Sequence, residues 1–246
     1  MPPSGLPVLI VGDVHGDLER LFGALKPYPP DRWRTIFLGD LIDGAPFGVG
    51  ALRYARDRPN STVIIGNHEV LTLSALQDRA ERGQAFVSWA GAGGQLHDLE
   101  ELARDEPLQA WMRRLPALVM LDDSTLVQHC DSDSLGRLAG PGETDVVGAV
   151  NREVARLLAA GEFDVLWDLM TPQRVFLRQP MRLEAWLERT GAERVVHGHT
   201  PHGQSEPVVY GGGRAINFDG GLARRTSYRR PSPYRASVGP LPSCPR

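Results

Sequence analysis

Lysine is nearly missing from this chain of 246 residues: Lys26 stands alone among 27 basic residues, and all the others are arginine. The bias is compositional and carries no mechanism. Cysteine is scarce as well. Cys130 and Cys244 cannot build a disulfide framework, and neither belongs to a CxxC pair. The N-terminus (MPPSGLPVLIVG) has no basic start, and its apolar run is too short for a signal peptide or a membrane span. A cytoplasmic protein without a membrane partner is the expectation. Excess charge of one sign is also missing. With 30 acidic and 27 basic residues the net charge is −3, which offers no general attraction to nucleic acid.

What is present is ordinary for a globular domain: 41% hydrophobic and 23% charged residues, in a chain long enough to bury a core without staples. Residues 7–11, 34–38 and 61–65 are short apolar, β-branched runs that stop at Gly12-Asp13, Gly39-Asp40 and Gly66-Asn67. Helical spacing follows the first two, over 17–26 and 51–58. Further helical patterns occupy 70–82 and 95–115, with Trp89 and Gly91–Gly94 between them. Strands are expected at 118–121 and 125–128, mostly helix over 145–190, and a strand at Val195-Val196. Gly211–Gly213 joins a hairpin of 208–210 and 214–218. This order predicts one α/β domain with ligand groups gathered at strand C-terminal ends. From Arg224 the chain is rich in Arg, Pro and Ser without apolar period, and reads as a mobile tail (224–246) after the folded domain (1–223).

Five segments place metal-binding residue types directly after an apolar strand: Gly12-Asp13-Val14-His15-Gly16, Gly39-Asp40-Leu41-Ile42-Asp43-Gly44, Gly66-Asn67-His68-Glu69, Gln128-His129 and His197-Gly198-His199-Thr200. One such segment is weak evidence, because an aspartate after a strand is often a helix N-cap. Together they hold five of the seven histidines, which makes coincidence the poorer explanation. Asp, Asn and His donors suit manganese, iron, zinc or similar ions, while the shortage of cysteine argues against a structural zinc site.

With these motifs in this order, the sequence resembles the calcineurin-like metallophosphoesterases, and within them the bacterial phosphoprotein phosphatases of the Ser/Thr type. The resemblance runs from about residue 8 to 222 and takes in Trp89 with GAGG, Leu115-Pro116, Leu166-Trp167 and Ile216–Gly221. It implies a sandwich of two mixed β-sheets flanked by helices. It also implies two divalent ions, manganese first, with iron, zinc, nickel or magnesium as alternatives. Asp13 and His15 would hold one ion, Asp40 would bridge, and Asn67, His129 and His199 would hold the other. The implied reaction is in-line attack on a phosphomonoester by a hydroxide held between the metals. His68 would act as the acid and Asp43 as the group that orients it. Glu69 reads as a supporting residue, and His197 and His202 as neighbours, with His202 in reserve.

Two departures stand out. Where the phosphoprotein branch carries an Asp-Arg-Gly arginine that grips phosphate, this chain has Gly44. His129 is followed by Cys130-Asp131 instead of a small-residue pair. Arg178 and Arg174 are the candidates to replace the phosphate contact. Cys130 reads as a buried, inert thiol. The expected substrates are phosphoproteins or small phosphoesters. Hydrolysis of dinucleoside polyphosphates, or a non-catalytic metal-binding module, are the alternatives. The GHT segment lacks the GH-x-H ending of the nuclease branch.

Overall fold

The computed structural model describes residues 5–223 and 234–242. Along the chain lie β1 (Val8–Val11), α1 (Leu18–Leu25), β2 (Arg34–Phe37), α2 (Gly48–Asp57), β3 (Ser61–Val63), α3 (Asn67–Asp78) and α4 (Gln84–Gly91). Then come α5 (Leu96–Leu102), α6 (Glu106–Met112), β4 (Leu118–Met120), β5 (Thr125–Gln128), α7 (Val146–Ala160), α8 (Phe163–Met170), α9 (Val175–Arg178) and α10 (Pro180–Thr190). β6 (Arg194–His197), β7 (Val208–Tyr210), β8 (Ala215–Asn217) and β9 (Val238–Pro240) complete the order. One sheet has the order β3-β2-β1-β9, parallel except for β9. The other has the order β4-β5-β6-β8-β7, parallel in its centre and antiparallel at both margins. The molecule is thus an α/β sandwich of two mixed sheets flanked by helices.

Alternation along the strands builds two apolar layers at once. Ile10, Ile36, Leu38 and Ile64 meet Val127, Val196, Ile216 and Phe218 between the sheets. Their neighbours Leu9, Val11, Phe37, Leu126 and Val195 point outward into the helices. Strands buried on both faces need apolar side chains at every position, hence the unbroken apolar runs in the sequence. Helix α3 is buried on nearly all sides and packs against α4 and α8, so its first turn is fixed in place.

Strand limits agree with the expected ones to within two residues, and β7 and β8 form the expected hairpin across Gly211–Gly213. Two helical expectations are corrected. Residues 84–91 form α4, which includes Trp89. The pattern over 95–115 is broken into α5 and α6, because Asp105 caps α6 by accepting the Leu108 N–H at 3.0 Å and Pro107 opens its first turn.

The expected tail needs correction too. Residues 234–236 form a 3-10 turn and 238–240 add β9 to the free edge of β1. Ala236 and Val238 are buried there. The Gly12 N–H donates to the Ser237 carbonyl at 2.8 Å and the Leu241 N–H to the Val8 carbonyl at 2.9 Å. Buried Arg194 of β6 donates to the Pro242 carbonyl at 2.7 Å, which ties this strand to the second sheet. An edge strand of three residues is too short to show a period. The rest of that expectation, 224–233 and 243–246 with Cys244, lies outside the described residues. Among the described residues no helix is long and apolar enough to cross a membrane.

Truncation after Ala223 therefore removes a sheet edge. The loss of two buried side chains and several backbone hydrogen bonds is expected to cost about 2 kcal/mol or more. That lowers the thermal midpoint by about 4–8 °C in a chain of this size, measurable by calorimetry. An unchanged midpoint would show that β9 contributes nothing.

Candidate active site

Strand ends and one helix start deliver the site. The exit of β1 carries Asp13 and His15, and that of β2 carries Asp40 and Asp43. β3 leads through Gly66 into α3, whose first turn holds Asn67 and His68. The exits of β5 and β6 carry His129 and His199. Four of these eight residues adopt left-handed backbone without being glycine: His15 (φ 47°), Asp40 (49°), Asp43 (66°) and His199 (64°). Each such residue costs on the order of 1–3 kcal/mol and persists only where its surroundings fix it.

Hydrogen bonds do the fixing. The Val14 and His15 N–H groups both donate to the Asp40 carbonyl, at 3.0 and 2.8 Å. Glu69 Oε2 accepts from the N–H of Asp40 and of Gly66, each at 2.8 Å, and its Oε1 accepts from the Leu41 N–H at 2.7 Å. The His68 N–H donates to Asp40 Oδ1 at 2.9 Å, and the His199 N–H donates to Asp13 Oδ1 at 3.0 Å. Two glycines make those last contacts possible. A Cβ at Gly66 would fall on Asp40 Oδ1, and one at Gly198 on Asp13 Oδ1.

The side chains converge. His15 Nε2 lies 3.9 Å from both Asp13 Oδ2 and Asp40 Oδ2, and His68 Nε2 lies 4.0 Å from Asp40 Oδ2. His129 Nε2 lies 3.4 Å from Asp40 Oδ1 and 2.8 Å from Asn67 Oδ1. Its other nitrogen donates to the Leu38 carbonyl at 2.7 Å. His199 uses Nε2 on the Thr171 carbonyl at 3.1 Å, and its ring is 4.9 Å from that of His129. His68 Nδ1 is 3.0 Å from Asp43 Oδ2. Asp43 is itself held by the Trp89 Nε1–H at 2.8 Å and the Thr72 hydroxyl at 3.2 Å.

Electrostatics show what this cluster suits. Burial and the nearby charge of Asp219, with Asp40 adding to it, push the Asp13 carboxyl well above its ordinary range. Burial acts the same way on Asp40, but His129, His68 and His15 outweigh it and hold Asp40 well below the usual range. His129 resists burial because Asp40 and Asp13 surround it, and its pKa rises to about 10. Burial and the His129 charge lower His199 to about 4. Mutually repelling buried carboxylates interleaved with imidazoles and one amide are the donor set of divalent cations. Ligand atoms of Asp13, Asp40 and His129 lie within 4.8 Å of one another, as do those of His15, Asp40 and His68. Asp40 belongs to both groups. The residues fit metal ions.

The remaining expected residues fall into place less evenly. Arg174 is exposed, in left-handed backbone (φ 58°), with its N–H donating to Asp131 Oδ1 at 2.7 Å. It borders the site, because Gln173 Nε2 donates to the His199 carbonyl at 3.2 Å. Arg178 is exposed one turn further on, at the end of α9. Cys130 is buried, its thiol donating to the Met170 carbonyl at 2.7 Å, and burial pushes its pKa well up. His197 is buried against the Tyr210 hydroxyl at 2.7 Å, and His202 leans on the Asn217 carbonyl at 3.3 Å. Sequence reasoning missed the Trp89 and Thr72 contacts to Asp43, the charge of Asp219 beside Asp13, and the anchoring role of Asp131. Asp131 also accepts from the Thr200 hydroxyl at 3.1 Å. These partners are 29 to 69 residues apart in the chain or related only through a neighbour's charge, so no local pattern signals them.

The sequence profile of the calcineurin-like phosphoesterases matches residues 6–203. The chain belongs to that family. It is 31% identical over 159 residues to a symmetrical bis(5'-nucleosyl)-tetraphosphatase of Methylococcus capsulatus, over 63% of this chain and 51% of that protein. The chain thus spans about half the length of this curated relative. In fold it is similar to the cold-active protein-tyrosine phosphatase of a psychrophilic Shewanella species (TM-score 0.63, 17% identity, 97% of this chain and 81% of that one). It is also similar to a protein serine/threonine phosphatase of Saccharomyces cerevisiae (TM-score 0.56, 14% identity, 86% and 66%).

The substitution Trp89→Phe deletes the indole N–H that bonds the buried Asp43 carboxylate and leaves a small void where the larger indole packed. A loss of about 1.5–3 kcal/mol in stability is expected, read by urea denaturation. A loss below about 0.5 kcal/mol, the scale of an ordinary surface change, would show that this hydrogen bond is not needed.

Proposed function

We propose that the chain is a metal-dependent phosphatase that releases phosphate from phosphomonoesters, with phosphoproteins or phosphopeptides (Ser/Thr or Tyr) as the substrate class. The observation that supports it best is the Trp89–Asp43–His68 chain, whose free imidazole nitrogen faces Asp40. Asp13, His15, Asp40, Asn67, His129 and His199 would hold two divalent ions, manganese first, with iron, zinc, nickel or magnesium as alternatives. When bound, such ions supply Lewis acidity to phosphoryl oxygens and make hydroxide available near neutral pH.

The chain's own residues account for the other requirements. His15 and His68 keep 14% and 10% of their side chains exposed, so a phosphoryl group approaches from their side. Asp43 accepts the Nδ1–H of His68, which fixes the ring and aims Nε2 at the site. Burial lowers the His68 pKa, but the charges of Asp40 and Asp43 prevail and the net shift is upward. That shift favours the protonated imidazole, whose Nε2 proton would go to the departing oxygen. Arg174, at the rim, would make the phosphate contact that Gly44 cannot.

A second reading, hydrolysis of dinucleoside tetraphosphates, is favoured by the 31% identity to the Methylococcus capsulatus protein. The same acid would then protonate a phosphate leaving group. Initial rates on diadenosine tetraphosphate and on a phosphopeptide panel separate the two, and the phosphatase reading expects the larger kcat/KM on phosphopeptides.

His68→Ala is expected to lower kcat on p-nitrophenyl phosphate by about 10²–10⁴. Asp43→Asn removes a charge that raises the His68 pKa, so the alkaline limb of the pH–kcat profile moves to lower pH. A wild-type protein with no metal-stimulated turnover, or a His68→Ala variant as active as wild type, would sink the assignment.

A further inference from the structure

We propose that the groove enclosed by the end of α3, by α4 and by α5 is a docking site for an acidic stretch of a polypeptide substrate that carries an apolar side chain. This rests on the phosphoprotein reading above and adds a second point of grip.

The groove has a volume of about 460 Å³ and is lined by Arg79, Arg82 and Arg104, with a single carboxylate, Glu100. Its apolar lining includes Phe86, Leu99 and Leu96, the last 57% exposed. Three guanidinium groups facing one carboxylate is a local cationic surplus on a chain of net charge −3. Of the acids nearby, exposed Glu81 lies between Arg79 and Arg82 in the chain but is not part of the lining, and three others are engaged elsewhere. Glu101 and Asp105, the neighbours of Arg104, both pair with Arg53. Asp78, next to Arg79, accepts the Ala85 and Phe86 N–H groups at 3.1 and 3.3 Å and so caps α4. Among the described residues none of the three groove arginines is ion-paired with a carboxylate. Arg79 donates to the Leu76 carbonyl at 3.3 Å, and Arg82 lies 5.9 Å from the centre of the Phe86 ring.

The lining decides between kinds of anion. A lone phosphate would leave Leu96 exposed to water. A nucleobase would seek the Phe86 ring face, where Arg82 already lies. An extended peptide satisfies both halves, with carboxylates on the arginines and an apolar side chain on Leu96. The groove also adjoins the reaction site. Leu96 follows Gln95, whose amide donates to the Gly44 carbonyl at 3.3 Å, and the Gly44 N–H donates to the Gly93 carbonyl at 2.8 Å. A peptide in the groove thus lies beside the loop where the phosphate-gripping arginine is replaced by Gly44.

The test uses the full chain, a fluorescein-labelled Asp/Glu-rich peptide containing one leucine, and its Asn/Gln counterpart. Anisotropy should show binding of the acidic peptide alone, weakening as salt rises. In Arg82→Glu/Arg104→Glu that binding should fall about tenfold or more. KM for the phosphorylated acidic peptide should rise in parallel, with kcat and all p-nitrophenyl phosphate kinetics unchanged. No peptide binding, or equal binding by wild type and variant, overturns the docking site. The binding arm needs no turnover, so a wild type inactive on p-nitrophenyl phosphate would refute the phosphatase reading separately.

Discussion

Asp40 is the side chain on which the site depends. It sits in left-handed backbone at the exit of β2, and its atoms link the β1, β2 and β3 loops and His129. Its carbonyl receives the β1 loop, its N–H is held by Glu69, its Oδ1 takes the His68 N–H, and His129 Nε2 stands 3.4 Å from that same oxygen. A buried carboxylate without such partners would be expected to protonate. With them it stays ionised, and the same bonds hold the loop conformation that places it. Asp13 does the equivalent task across the sandwich by accepting the His199 N–H from the second sheet. Two carboxylates therefore bring five loops from two sheets to one point.

Glu69 shows how deep the support runs. With both oxygens on backbone N–H groups of the β2 and β3 loops, it replaces the hydrogen bonds those turns cannot make internally. Burial and the charge of Asp40 raise its pKa to about 6. Three backbone donors nonetheless make it an acceptor at the base of the site. The conformation of Asp40 and the cap of α3 are thus one structural unit, and Asn67 and His68 inherit their positions from it.

The strands and the short segments at their exits were legible in the sequence because burial on both faces writes uninterrupted apolar runs ending at a glycine and a polar residue. What was hidden came from distant partners. Helix α2 begins at Gly48 with no local capping side chain, and its cap is Asp98 from α5, which accepts the Gly48 and Val49 N–H groups at 3.0 Å. The sequence placed the start of that helix at residue 51 because nothing nearby marks 48. Trp89 looked like part of a connector, yet its indole N–H holds Asp43. β9 consists of Val-Gly-Pro, a tripeptide with no strand pattern, and it exists because β1 offered an open edge and Arg194 an anchor.

The exchange of an arginine for Gly44 is better understood as a change of loop than as the loss of one side chain. Gly44 has φ +92°, a conformation in which any L-residue is strained, and a Cβ there would stand 3.2 Å from the Cβ of His15. Both of its backbone groups are engaged, the N–H by the Gly93 carbonyl and the carbonyl by the Gln95 amide. The loop is thereby tied to the segment joining α4 to α5, and His15 is packed from behind. An arginine at this position would be strained and would press against His15. Selectivity for the rest of the substrate must then come from residues outside this loop, such as Arg174 next to the Asp131 and His199 contacts, or the groove arginines near the α4–α5 segment.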